Sequence, residues 1–375
     1  MSYHCRAFGV LAVLAIVGAF CFTATVSAQE PIYDPTAKPM FVVRTPGPAL
    51  ERTAPVTPLT QWTFKFTYQG QNLSATIVGT DPSKTNAPTT IKVGIIPIKM
   101  VYGSSNGNMT FDPNTTYSGN KTATQMIAGS PIFVSSVDYV QGGTDLGKTQ
   151  YEDAYERGNF WGSVSTNSNY HLLFAKPIIG PEQTINVTAA QGGVISNPWS
   201  GIPTGTMDIN AFDSQLQTII RKFSQIQPNV LPIFLTYNVY LTEGLCCIGG
   251  YHSANGPQPN GQTYSYTTTI SQAGVPVFSQ DISALSHELG EWIVDPFVDN
   301  LAPTLCGARG NSLMENGDPL ENNPDFGDFP YTVNGFTYHP QDLVFMPYFG
   351  APPTTSVNSF FTFQGEKLSV CQNGG

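Results

Sequence analysis

One run of this chain dictates much about the rest: Ala284-Leu285-Ser286-His287-Glu288-Leu289-Gly290-Glu291-Trp292-Ile293-Val294-Asp295-Pro296. From His287 to Asp295 it sets one histidine and three carboxylates in nine positions, within a chain of which only 11% is charged. If the run is helical, residues four apart stack on one face, so His287 and Glu291 converge on one point with Glu288 beside them. Ile282, Leu285, Leu289, Trp292 and Ile293 form an ordinary buried stripe, which by itself would leave the acids as a solvated side. Gly290 argues for more: a poor helix former one turn after Ser286 suits a close approach to the backbone. Pro296 then stops the helix and delivers Asp295 to its end.

The surroundings read as strands. Gly 36, Pro 30, Tyr 17 and Phe 23 among few charges point to many short strands joined by turns. Trp62, Phe64 and Phe66 alternate with Thr63, Lys65 and Thr67, followed by strands at Leu73–Val78 and Ile91–Tyr102, where Pro97 demotes the later half to an edge or a bulge. Thr149–Trp161 has helical spacing with charges expected to solvate its outer face. A second helix is predicted over Asp208–Phe223, then a β-prone run at Val230–Tyr240, a Gly/Cys-rich loop containing His252, and a strand at Tyr264–Ile270. The expected class is α+β. Residues 1–28 read as a signal peptide, 29–60 as a proline-rich lead-in, 61–205 as a β-rich region and 206–375 as the half bearing the site.

Arg6 precedes an apolar run from Phe8 to Val26 that closes on Val26-Ser27-Ala28, so cleavage before Gln29 and export are expected. No other segment has the length to cross a membrane. A net charge of -10 with no basic run excludes the electrostatic footprint of a nucleic-acid binder. Export leaves Cys246, Cys247, Cys306 and Cys371 in an oxidising compartment, which predicts two disulfides. Neighbouring cysteines join only through a strained ring, so Cys246 and Cys247 are expected to bond outward to Cys306 and Cys371. A four-cysteine zinc site fits the spacing poorly.

His287-Glu288-Leu289-Gly290-Glu291 resembles the zincin metallopeptidase motif H-E-x-x-H, with Glu291 where a second histidine stands. The resemblance implies His287 and Glu291 as metal ligands and Glu288 as general base. Ser286 to Pro296, Cys306 and Glu315-Asn316-Gly317-Asp318 are together similar to secreted bacterial zincin-like proteins. Gly250-Tyr251-His252-Ser253 is more loosely similar to the plant phosphate-induced (EXORDIUM-like) proteins, which do not retain the His-Glu pair. By this likeness the site half is a zincin-like helix-strand-loop-strand-helix arrangement. The third ligand is Glu315 or Asp318, Asp295 orients a ligand from the outer shell, and His252 binds the transition-state oxyanion or the metal.

The implied activity is that of a secreted metallopeptidase, acting on a protein or peptide substrate through Zn2+. The rival is a non-catalytic secreted or cell-surface binding protein holding a structural ion such as Ca2+, which the oxygen-rich 315–328 segment suits. A serine or cysteine hydrolase lacks a G-x-S-x-G elbow and, with its cysteines paired, a thiol nucleophile.

Overall fold

A computed structural model describes residues 40–52, 55–68, 70–141, 144–271, 281–302, 313–318, 330–341, 343, 344 and 346. The expected leader, Cys306 and Cys371 lie outside the described residues. The main elements are β1 (Gln61–Tyr68), β2 (Gln71–Val78), β3 (Pro88–Tyr102), α1 (Tyr151–Asn159), β4 (His171–Phe174), β5 (Pro203–Asp208), α2 (Ile209–Lys222), β6 (Val230–Tyr237), β7 (Val239–Glu243), β8 (Leu245–Asn255), β9 (Gln262–Thr269) and α3 (Ser283–Val294). The chain is strand-rich with few helices.

One curled, mixed sheet runs in the order β4-β3-β6-β9-β8-β7-β5 and ends on Val194–Ser196. The first four strands pair in parallel, β8 is antiparallel to both β9 and β7, and β7 is parallel to β5. Strands from 61–205 and from 206–375 therefore share one sheet, with β3 beside β6. Pro97 is the last residue of β3 paired with β6; beyond it Ile98–Tyr102 pairs with Gln183–Val187 on one side and reaches Thr110–Phe111 on the other. The later half of β3 is flanked rather than an edge, because short strands take over where the missing proline N–H ends the first ladder.

Period-two alternation distributes this sheet between two cores. On β6, Leu231, Ile233 and Leu235 join the core that includes α3, while Phe234 joins the core that includes α2. On β9, Tyr264 and Tyr266 belong to the α2 side, which leaves the buried Thr263, Ser265 and Thr267 opposite. Short side chains there let α3 lie close across β8 and β9. The β1–β2 hairpin and α1 also pack against α3, so every residue from Ser283 to Val294 is buried. A solvated acidic side is thereby excluded.

Three further expectations are corrected. First, the Gly/Cys-rich segment is the interior strand β8, not a loop. Its backbone pairs on both edges, and Gly250 leaves the room that Glu288 of the overlying helix fills. Second, Cys246 and Cys247 bond to each other, across a cis peptide that brings their Cα atoms to 3.0 Å. With their sulfurs joined to each other, neither bonds outward. The pair lies in a small core with Tyr240 and Ile270.

Third, the charges of α1 are buried. The Asp153 carboxylate accepts from Thr149 Oγ1 at 2.5 Å and from the Leu172 N–H at 2.6 Å, and it meets His171 Nδ1 at 2.7 Å. Arg157 Nε donates to the Leu146 carbonyl at 2.8 Å. Partners from the segments that flank α1 satisfy these groups, and the spacing within the helix cannot reveal them. Burial pushes the Glu156 carboxyl up to about 8, against the hydrogen bond donated by the Tyr170 hydroxyl and with the Asp153 charge adding to the rise.

This last shift carries a pH dependence. The folded value lies above the ordinary 4.5, so the proton is held more tightly in the folded state. The stability it lends is full below about pH 4.5 and is lost as pH rises through 8. Glu156→Gln is expected to remove this decline, which can reach about 1.4 kcal/mol per pH unit. Melting temperatures of both proteins across the window check it; parallel curves would contradict it.

Candidate metal centre

Four pieces of chain meet between the sheet and α3. β8 presents Gly250 and His252; α3 presents His287, Glu288 and Glu291, with Asp295 capping its end; the segment 313–318 brings Glu315, Gly317 and Asp318; and Gln341 closes the far side. His252, His287, Glu288, Glu291, Asp295 and Glu315 are all buried. Asp318 alone among the acids is partly exposed, its side chain at 17%.

The i, i+4 spacing on α3 places His287 Nε2 3.1 Å from Glu291 Oε2, and Asp318 Oδ1 lies 3.7 Å from the same nitrogen. The other ring nitrogen, Nδ1, is 2.6 Å from Gln341 Oε1. An amide oxygen only accepts, so Nδ1 carries a hydrogen and Nε2 is the ligating atom of the neutral ring. Gln341 is held in turn: its Nε2 donates to the Gly317 carbonyl at 3.3 Å and its backbone N–H to Ser286 Oγ at 2.8 Å. Gly317 admits the ring, since a Cβ there would stand 2.5 Å from His287 Nδ1. Glu291 Oε1 accepts the backbone N–H groups of Gly317 and Asp318 at 3.0 and 3.2 Å, which leaves Oε2 for the histidine side.

His252 occupies the other flank. Its Nε2 lies 3.1 Å from the Asp295 carbonyl oxygen, which only accepts, so Nδ1 is the free lone-pair position of the neutral ring. Nδ1 is 3.2 Å from Glu288 Oε2 and 4.0 Å from Glu291 Oε2; Nε2 is 3.8 Å from Glu315 Oε2. Asp295 thus orients a histidine from the helix end, but through its backbone. Its side-chain Oδ1 accepts the N–H groups of Asp299 and Asn300, both at 2.9 Å. Gly250 makes room for Glu288: a Cβ there would lie 2.7 Å from Glu288 Oε1. The close approach that Gly290 serves is by the Leu343 side chain, 2.2 Å from where a Cβ would stand.

Two groups of three could each hold a metal ion: His287, Glu291 and Asp318, and His252, Glu291 and Glu315. Of the two acids proposed as third ligand, Asp318 joins His287 and Glu315 joins His252. The donor set fits a cation on further grounds. Both oxygens of Glu315, Oε1 of Glu288 and Oδ2 of Asp295 are buried without a hydrogen-bond partner among the described residues, an arrangement that a positive charge would satisfy.

Electrostatics tie the cluster together. Burial opposes charging of His287, yet the charge and hydrogen bond of Glu291, with Glu288 and Asp318 behind them, lift it to about 10. Burial acts to raise Glu291 as well, but His287, His252 and the Gly317 N–H hold it below its usual range. Burial dominates elsewhere, raising Glu288 and Asp295 each to about 7, and Glu315 well above its ordinary value. A cation at His287 Nε2 would replace the proton that this acidic setting otherwise keeps there.

Gln341 was not legible as part of the site. It stands alone in its segment, and no local pattern marks a side chain that meets a histidine 54 positions earlier. No known family model, curated protein or solved structure matches this chain. The likeness of His287–Glu291 to H-E-x-x-H therefore rests on the motif itself.

Proposed function

We propose that this chain is an exported metal-dependent hydrolase, a peptidase of zincin-like arrangement, with His287, Glu291 and Asp318 holding the ion and Glu288 acting as general base. The observation that carries this reading is the position of the buried His287 ring, with Nδ1 against the Gln341 amide oxygen and Nε2 facing Glu291 and Asp318, next to a buried Glu288. The order α2, β6, the β7–β8–β9 meander and α3 supports the arrangement, and a disulfide at Cys246–Cys247 supports export to an oxidising compartment.

Zn2+ bound there would polarise a scissile carbonyl and lower the pKa of a water. The residues do the remainder. Glu288, raised to about 7 by burial, suits both acceptance of a proton from that water and its delivery to the leaving amine. His252 Nδ1 steadies the far oxygen of Glu288, while Gly250 keeps the space that this carboxylate fills. Glu291, a carboxylate in place of a neutral imidazole, adds negative charge to the ion and so favours slower turnover or a harder metal.

A second reading is favoured by the burial of nearly every ligand: a secreted or cell-surface binding protein in which the ion, Ca2+ for example, is structural. Chelation separates the two. On the hydrolase reading, removing the ion abolishes cleavage of an unfolded protein substrate, adding Zn2+ restores it, and the thermal melt of the apo chain remains cooperative. Loss of folding on chelation, with no cleavage at any metal load, would reject it in favour of the structural ion.

A further inference from the structure

We infer that the cluster is built for two divalent cations, with the Glu291 carboxylate shared between them. The inference rests on the reading of this cluster as a metal centre and extends it from one ion to a pair. The two candidate groups are distinct in every ligand but Glu291. On one flank stand His287 Nε2 and Asp318 Oδ1; on the other stand His252 and Glu315, and the Oε2 of Glu291 lies 3.1 Å from His287 Nε2 and 4.0 Å from His252 Nδ1. An oxygen reached by both histidines is placed as a bridge.

Independent of the acid count, one side chain points to the second ion. Glu315 is 2% exposed, and neither of its oxygens has a hydrogen-bond partner among the described residues. Glu315 does not belong to the group formed by His287, Glu291 and Asp318. Burying both oxygens of a carboxyl group without a hydrogen-bond partner is costly, and the nearby His252 offers its lone pair at Nδ1, on the side facing Glu288 and Glu291. Carboxylate-rich pairs of ions about 3.5–4 Å apart are a recurrent hydrolytic device, holding the attacking and leaving oxygens together.

The test counts ions in the full chain. The protein is stripped with a chelator and dialysed separately against Zn2+ and Mn2+. Metal per chain is measured by mass spectrometry, and the Mn2+ sample is read by electron paramagnetic resonance. The expected result is two ions per chain and an exchange-coupled Mn2+ spectrum. In Glu315→Gln, whose fold is checked by its thermal melt, one ion remains and the coupling vanishes. A wild-type chain that saturates at one ion with an uncoupled signal overturns the pair while leaving the single-metal reading intact. No bound ion of either kind defeats both. Two ions retained in a folded Glu315→Gln variant would place the second ion elsewhere and likewise overturn the inference, as would two ions without coupling.

Discussion

Glu288→Gln is expected to keep its metal and to lower hydrolysis of a protein substrate by about 10²–10⁴-fold, the span that a positioned general base contributes. The separation of the two effects follows from the surroundings. Glutamine has the same shape, so it fills the space that Gly250 leaves between β8 and α3. Its amide can donate to His252 Nδ1, because Nε2 carries the ring hydrogen toward the Asp295 carbonyl. What it lacks is a lone pair basic enough to take a proton from water. Unchanged turnover in a variant that retains the ion would remove Glu288 from the mechanism, and a loss of metal together with activity would recast it as a ligand.

Glu291→Gln has the larger effect on binding. Glutamine can still accept the Gly317 and Asp318 N–H groups through its oxygen, so the turn at 317–318 should stay docked on the helix. The atom then facing His287 Nε2 is an amide nitrogen, which cannot ligate a cation. Removing the one charged ligand common to both groups should weaken metal binding by more than about 100-fold, beyond the 10–100-fold that loss of an outer-shell partner costs. Calorimetric titration of the stripped variant with Zn2+ reads this directly. Affinity within a few-fold of wild type would mean that the ion is held elsewhere.

The parts of this centre that could be read from the sequence are those that depend on local spacing. The convergence of His287 and Glu291 follows from a spacing of four residues, about one helical turn, and Pro296 announces Asp295 at the helix end. Those that could not be read depend on which distant segments meet. Nothing in Glu315-Asn316-Gly317-Asp318 says that its two acids turn to different histidines, and Gln341 has no local signature at all. β8 was hidden by composition: Gly250, one of the glycines that suggest a loop, is the one that allows a helix carrying Glu288 to approach a paired strand. α1 misled in the opposite sense, since its helical spacing of charges reads as a wet face until Thr149, His171 and Leu172 supply partners from outside it. The cysteine pairing could not be read either: the strain of a ring between neighbours argues against Cys246–Cys247, and the two are bonded all the same.

The central claim is that His287, Glu291 and Asp318 bind an ion. It is tested most directly by anomalous diffraction from crystals of the full chain grown with Zn2+, with data collected on both sides of the zinc edge. The account predicts an anomalous peak about 2.0–2.2 Å from His287 Nε2 and from a Glu291 oxygen, with Asp318 drawn in to complete the set. Density that shows His287 Nε2 still hydrogen-bonded to Glu291, with no anomalous peak in the cluster, would contradict it.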